Sequence, residues 1–202
     1  KIYIHSRRFR EHTRARARRN TSIQSIYITT NGSLPDRVKT FAEHITKKYS
    51  HITLSISISI DDLPENHNKI RKIKGLFDKC IETYKLIEKI ERVVPVVQVT
   101  VSEANYKNVK KIYTDLLYIY RVDSIKAVIV RDEGIYKTPT EDKRGILNSY
   151  NWITNKIIED SKNGVLNNYD QNSVQGRLHF KKDTLMYKFI QKYYLKPFYQ
   201  SH

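Results

Sequence analysis

An α/β fold with parallel strands is predicted by three features of the sequence. Strand-type and helix-type segments alternate from residue 22 to residue 132. The strand segments are dense in Ile and Val. Two of them carry an apolar row on one face and a polar row on the other. Alternation of this kind joins parallel strands by right-handed helical crossovers.

The elements follow in order. "SIQSIYITTNG" (22–32) is a strand pattern on Ile23, Ile26, Tyr27 and Ile28, ended by an Asn-Gly turn signal. "LPDRVKTFAEHITKKYS" (34–50) puts Val38, Phe41, Ala42 and Ile45 at helical spacing, with Pro35 in the first turn. "HITLSISISID" (51–61) is the second strand. "HNKIRKIKGLFDKCIETYKLIEKIE" (67–91) is a long helical pattern that Gly75 weakens and divides. "RVVPVVQVTVS" (92–102) is the third strand, with Pro95 near its start. "NYKNVKKIYTDLLYIY" (105–120) is a helix with Asn105 as its N-cap. "DSIKAVIVRD" (123–132) is the fourth strand. A helix is expected near 141–160 with Gly164 beyond it, a loop over 165–180, and a short helix over 182–195 before Pro197.

The second strand poses a chemical question. Leu54, Ile56, Ile58 and Ile60 suit packing under helices, while Ser55, Ser57, Ser59 and then Asp61 occupy the opposite row. The third strand repeats the pattern, with Val97, Val99 and Val101 against Gln98, Thr100 and Ser102. On the first strand Tyr27, Thr29 and Asn31 share a face. Buried polar atoms without partners cost roughly 1–3 kcal/mol each. Polar rows on neighbouring strands therefore predict a shared hollow holding water or ligand. Polar residues also gather at the strand C-termini: Thr29 to Asn31; Ser59, Asp61 and Asp62; Thr100 with Ser102; and Arg131 to Glu133. Ligand sites of α/β barrels lie at that edge. Taken singly, each of these residues is better accounted for by a turn or a helix cap; their coincidence on four successive strands favours a site.

Composition sets outer bounds. With 202 residues and 39% hydrophobic content, the chain is long and apolar enough for a folded domain. No apolar run of about 18 residues occurs, so no spanning helix and no membrane partner are expected. No leader of the charged-then-apolar kind is visible, and the expected compartment is the cytoplasm. The single cysteine, Cys80, excludes an internal disulfide and sits among apolar residues at helical spacing, as a core thiol would. The histidines show no metal-ligand spacing, and no phosphate-binding glycine loop or nucleophile elbow is present. Fifteen tyrosines are many, but in "IYTDLLYIY" and "MYKFIQKYY" they recur at helical spacing, which favours packing over base stacking.

The net charge of +16 is uneven. Residues 1–19 hold Lys1, Arg7, Arg8, Arg10, Arg14, Arg16, Arg18 and Arg19 against the single acid Glu11. Such a run suits either a nucleic-acid-binding arm or a solvated segment foreign to the domain, and the sharp change in composition near Asn20 favours the second. The chain begins at Lys1, has Met186 as its only methionine, and stops at "YLKPFYQSH", all expected of a fragment of a longer reading frame.

Several of these pieces, in order, resemble the radical SAM family. "TTNG" (29–32) is similar to the family's third barrel strand and turn. "SISIDD…ENHNKIRKIKGLF" is similar to its fourth strand and the helix start that follows, through Ser59, Asp61, His67, Asn68, Arg71, Gly75 and Phe77. "VQVTVSEANYKNVKKIYTDL" is similar to its fifth strand and helix, with Asn105 and Asn108 in matching places. "KPFYQSH" resembles the lead-in to a SPASM-like extension. The resemblance implies an incomplete (β/α)6 half-barrel with C-terminal helices, divided as an Arg-rich segment at 1–20, βα repeats at 21–135 and a helical part at 136–202. It further implies S-adenosylmethionine and a 4Fe-4S cluster as cofactors, reductive cleavage of the former, and hydrogen abstraction from a peptide or small-molecule substrate. By position, Ser59 is implied to touch the methionine moiety of S-adenosylmethionine, Arg71 its carboxylate, Asp61 the ribose hydroxyls, and Thr29 the cofactor or substrate. One departure stands out. The family's Cys-x-x-x-Cys-x-x-Cys loop is missing, so the chain alone is expected not to assemble the cluster and to be inactive. The alternative function is that of a basic nucleic-acid-binding module using the Arg-rich segment.

Overall fold

The computed structural model describes residues 23–130 and 140–195. The Arg-rich segment, the group Arg131, Asp132 and Glu133, and "KPFYQSH" lie outside the described residues. Four strands, β1 (Ser25–Thr30), β2 (Thr53–Ser59), β3 (Val93–Val101) and β4 (Ile125–Ile129), form one parallel sheet in the order β1-β2-β3-β4. Between them run α1 (Pro35–Lys48), α2 (Pro64–Arg71), α3 (Leu76–Ile87), a 3-10 turn (Tyr106–Asn108) and α4 (Val109–Tyr118). Two helices follow β4, α5 (Lys143–Lys162) and α6 (Val174–Tyr193). The chain falls into two compact units. The first holds β1, α1, β2, α2, α3 and the start of β3; the second holds residues 61–63, the rest of β3, α4, β4, α5 and α6.

In the first unit the sequence alternation becomes a division of faces. Leu54, Ile56, Ile58 and Ile60 are fully buried, whereas Ser55, Ser57 and Ser59 are half-buried. The β1–β2 register pairs Tyr27 with Ser55 and Thr29 with Ser57, so the polar row continues across both strands. On the other face Ile28 and Ile56 pair, beneath helices that bury Val38, Phe41, Ala42 and Ile45 from α1 and Phe77, Cys80, Tyr84 and Ile87 from α3. The hydroxyl row is thus not sealed under helices. Tyr27 is 66% exposed and Thr29 is exposed.

Three sequence expectations need correction. The helical pattern over 67–91 puts Arg71 one turn into a helix, but it is the last residue of α2. The helix starts earlier, at Pro64, whose fixed φ suits a first helical position, and it ends where Lys72 takes a positive φ of 56°. Asn105, expected as a helix cap, makes no side-chain cap bond; a 3-10 turn intervenes before α4. The loop expected over 165–180 extends only to residue 173. There Ser173 caps α6 by accepting from the Gly176 N–H at 2.9 Å.

In the second unit, β4 is the edge strand, and its outer side is closed by side chains. Asn168 imitates a neighbouring strand: its Oδ1 accepts from the Ile125 N–H at 2.9 Å and its Nδ2 donates to the Ile125 carbonyl at 2.9 Å. Tyr187 of α6 accepts from the Ala127 backbone one step along. On the inner side the Val130 N–H donates to the Val101 carbonyl of β3 at 2.9 Å. Unsatisfied strand edges invite association, so these two side chains protect the sheet. Asn168→Ala strips Ile125 of both partners. It is expected to cost about 2 kcal/mol in urea unfolding and to raise the aggregation rate on dilution from denaturant.

Candidate functional site

The C-terminal end of β1 is held from below by α3. Thr30 Oγ1 accepts from the Gly32 N–H at 3.1 Å, and Asn31 Oδ1 accepts from the Ser33 N–H and hydroxyl at 3.2 and 2.9 Å. Cys80 donates its thiol to the Asn31 carbonyl at 3.1 Å, and Thr83 donates its hydroxyl to the Gly32 carbonyl at 2.9 Å. Gly32 has a φ of +68°, and a Cβ there would lie 2.9 Å from both Cys80 Cα and Sγ. The turn after β1 therefore lies directly on α3, with its geometry fixed by two side chains about fifty residues away in sequence.

The link from β2 to α3 is built the same way. His67 is fully buried, with Nε2 3.8 Å from Cys80 Sγ and its ring edge-on to Phe77. Asn68 Oδ1 accepts from the Phe77 N–H at 2.9 Å, and its carbonyl accepts from the Ile73 N–H at 3.1 Å. The "ENHNK" stretch thus shapes the turn between α2 and α3, as its Asx content allows. The sequence marked Cys80 as a core thiol. It did not mark Thr83, whose only sequence signal is a hydroxyl on an apolar helix face.

Of the predicted site residues, Thr29 and Ser59 lie on the same face at the C-terminal edge of adjacent strands; Thr29 pairs with Ser57, two residues before Ser59. Arg71, half-buried, is on α2 in the same unit. Asp61 belongs to the second unit, is buried, and lies two residues along the chain from Ser59.

In that second unit Asn105 is the organiser. Its Nδ2 donates to the Asp61 carbonyl and, at 2.7 Å, to the Thr100 carbonyl, and its Oδ1 accepts from the Ser102 N–H at 2.8 Å. One amide thus ties residue 61 to the end of β3. Nearby, Glu103 accepts from the N–H groups of Glu141 and Asp142, both at 3.2 Å. Among the described residues no group of three or more His, Cys, Asp or Glu side chains could hold a metal ion.

Four parallel strands in one sheet, joined by helices, define the chain as an α/β fold. The particular likeness is to a solved structure of a histidine-tagged anSMEcpe with bound AdoMet, with a TM-score of 0.56 and 17% identity. The match covers 80% of this chain and 45% of that one, so this chain spans a little under half the neighbour's length. No family model matches the sequence, and no curated protein matches it.

Proposed function

We propose that this chain is an S-adenosylmethionine-binding domain of the radical SAM type. The observation that carries the reading is the fold likeness, over 80% of the chain, to a structure with bound AdoMet. The donor set of the first unit supports it: two strand-edge hydroxyls and a guanidinium suit a zwitterionic amino acid. Ser59 would hydrogen-bond the methionine moiety. Arg71 would hold its carboxylate, for which a planar guanidinium is matched. Thr29 would face the cofactor or the substrate beside it. When bound and reduced by a cluster, S-adenosylmethionine supplies a 5′-deoxyadenosyl radical.

The cluster itself does not fit these residues. Iron–sulfur clusters are held mainly by several thiolates. This sequence has one cysteine, and its buried thiol is engaged with the Asn31 carbonyl. What these residues would do is bind and orient the cofactor, not cleave it.

Calorimetric titration of the full chain with S-adenosylmethionine tests the reading. Saturable binding is expected, weakened at least tenfold by Arg71→Ala through loss of a charge-assisted hydrogen bond and partly restored by Arg71→Lys. Ser59→Ala should weaken it severalfold. A folded chain that shows no saturable heat, or an Arg71→Ala variant that binds unchanged, overturns the assignment.

A further inference from the structure

Helix α6 turns its apolar residues the wrong way for a core helix. Its buried side consists of Gly176, Asp183 and Tyr187. Val174, Leu178, Leu185 and Phe189 are instead 66%, 60%, 63% and 44% exposed. At 3.6 residues per turn those four fall within about 60° of arc and run about 22 Å along the helix. The stripe is two apolar pairs, Val174 with Leu178 and Leu185 with Phe189, on one exposed face with Lys181 beside the gap between them; exposed apolar patches of this kind mark contact surfaces.

The charges around the stripe identify what it contacts. Arg177, Lys181 and Lys188 follow one flank; on the other, Lys182 is paired with Asp183 at 3.1 Å. The helix has one acid, Asp183, and that carboxylate is buried against Lys126 and Tyr169. A second copy of the same face would bring cations against cations, which opposes a symmetric contact. An apolar stripe flanked by cations is complementary to a surface that offers acyl chains beneath phosphates.

We propose that the outer face of α6 docks on an anionic lipid surface, with the stripe entering the headgroup boundary and the flanking cations meeting lipid phosphates. The helix lies along the surface and does not span it. Among the described residues no helix is long and apolar enough to cross a membrane. The sequence-level expectation of no membrane partner rested on that lack of a spanning segment, a criterion blind to a helix lying flat. The proposal is independent of cofactor binding.

Co-sedimentation of the full chain with phosphatidylglycerol–phosphatidylcholine vesicles, against phosphatidylcholine alone, tests it. The chain should bind the anionic vesicles and not the neutral ones. Leu185→Ser with Phe189→Ser should lower the partition coefficient at least tenfold. Lys181→Glu with Lys188→Glu should do so by a similar factor at low salt. All four positions are exposed, and unchanged circular dichroism checks the fold. Binding that neither double variant reduces belongs to charge elsewhere in the chain and overturns the proposal. So does a failure to bind vesicles, including the case in which light scattering shows a dimer that the Leu185/Phe189 variant dissolves.

Discussion

Gly32→Ala is expected to destabilise the chain by about 3 kcal/mol, combining left-handed strain with overpacking. The φ of +68° alone disfavours any L side chain, and the new methyl would meet Cys80 Cα and Sγ at 2.9 Å and Ile58 Cγ2 at 3.2 Å. One of those atoms is backbone in the middle of a buried helix, so the clash cannot be relieved by a rotamer change. Gly75 provides the control. Its φ is also +68°, but a Cβ there has nothing within 4 Å. Gly75→Ala should therefore cost only the backbone strain, about 1 kcal/mol. Urea unfolding of both variants separates the two causes. Adding Cys80→Ala to the Gly32 variant removes the clash with sulfur but leaves the clash with the helix backbone, and should recover only a fraction of the loss. Equal costs at positions 32 and 75 would mean that the turn after β1 can lift off α3. The Thr83 and Cys80 hydrogen bonds would then not fix the strand edge where Thr29 sits.

The strands and the first helices were legible because their periodicities are clean. Residues 54–60 alternate without a break, and burial follows that alternation residue by residue. Gly75 divides its helical pattern as its backbone freedom predicts, taking a positive φ between α2 and α3. Helix α6 was half lost for a physical reason. Its apolar residues face outward, its inward face holds a glycine, an aspartate and a tyrosine, and Gly176 reads as a breaker in sequence. In the fold that glycine is required, because a Cβ there would collide with the Asp170 carbonyl oxygen. Asn105 and Asn168 were misjudged or missed because their partners are distant. Asn105 reaches residue 61, and Asn168 reaches Ile125. No local pattern encodes a side-chain amide that substitutes for a strand. For the candidate site, the strand-edge positions of Thr29 and Ser59 could be read from alternation. The scaffold beneath them, Cys80 and Thr83 on the β1 turn, depends on a tertiary arrangement that only the fold supplies.

Lys126→Met should destabilise the chain by about 3 kcal/mol near neutral pH, because it removes the main counter-charge of a buried carboxylate and leaves only Tyr169 and Lys182 as its partners, and the deficit should shrink in acid. Asp183 is 3% exposed; its Oδ2 accepts from Lys126 Nζ at 2.7 Å and from the Tyr169 hydroxyl at 2.8 Å. Lys182 lies 3.1 Å from the other oxygen, and the buried Tyr187 ring is a further neighbour. Burial alone would push the Asp183 carboxyl up. The hydrogen bond and charge of Lys126, helped by Tyr169 and Lys182, outweigh burial and hold it below the usual carboxylate range. Burial, with the same carboxylate, pushes the Tyr169 hydroxyl well above its ordinary value, so Tyr169 remains a donor throughout. A carboxyl whose folded value is depressed contributes stability that is present in full above its unfolded value, near 4. That contribution is lost as pH falls through the still lower folded value. In the Lys126→Met chain less opposes burial, so the folded value rises relative to the parent's. Protonation as pH falls then costs the variant less stability than it costs the parent. The two stability curves, followed by urea unfolding from pH 7 down to about pH 3, should converge. Because Asp183 is one of the few inward residues of α6, the loss at neutral pH should appear first as release of that helix. Hydrogen exchange at Tyr187 and Ile190 would report it before exchange at Ile56. A constant gap between parent and variant across that range would show that Lys126 contributes packing rather than charge.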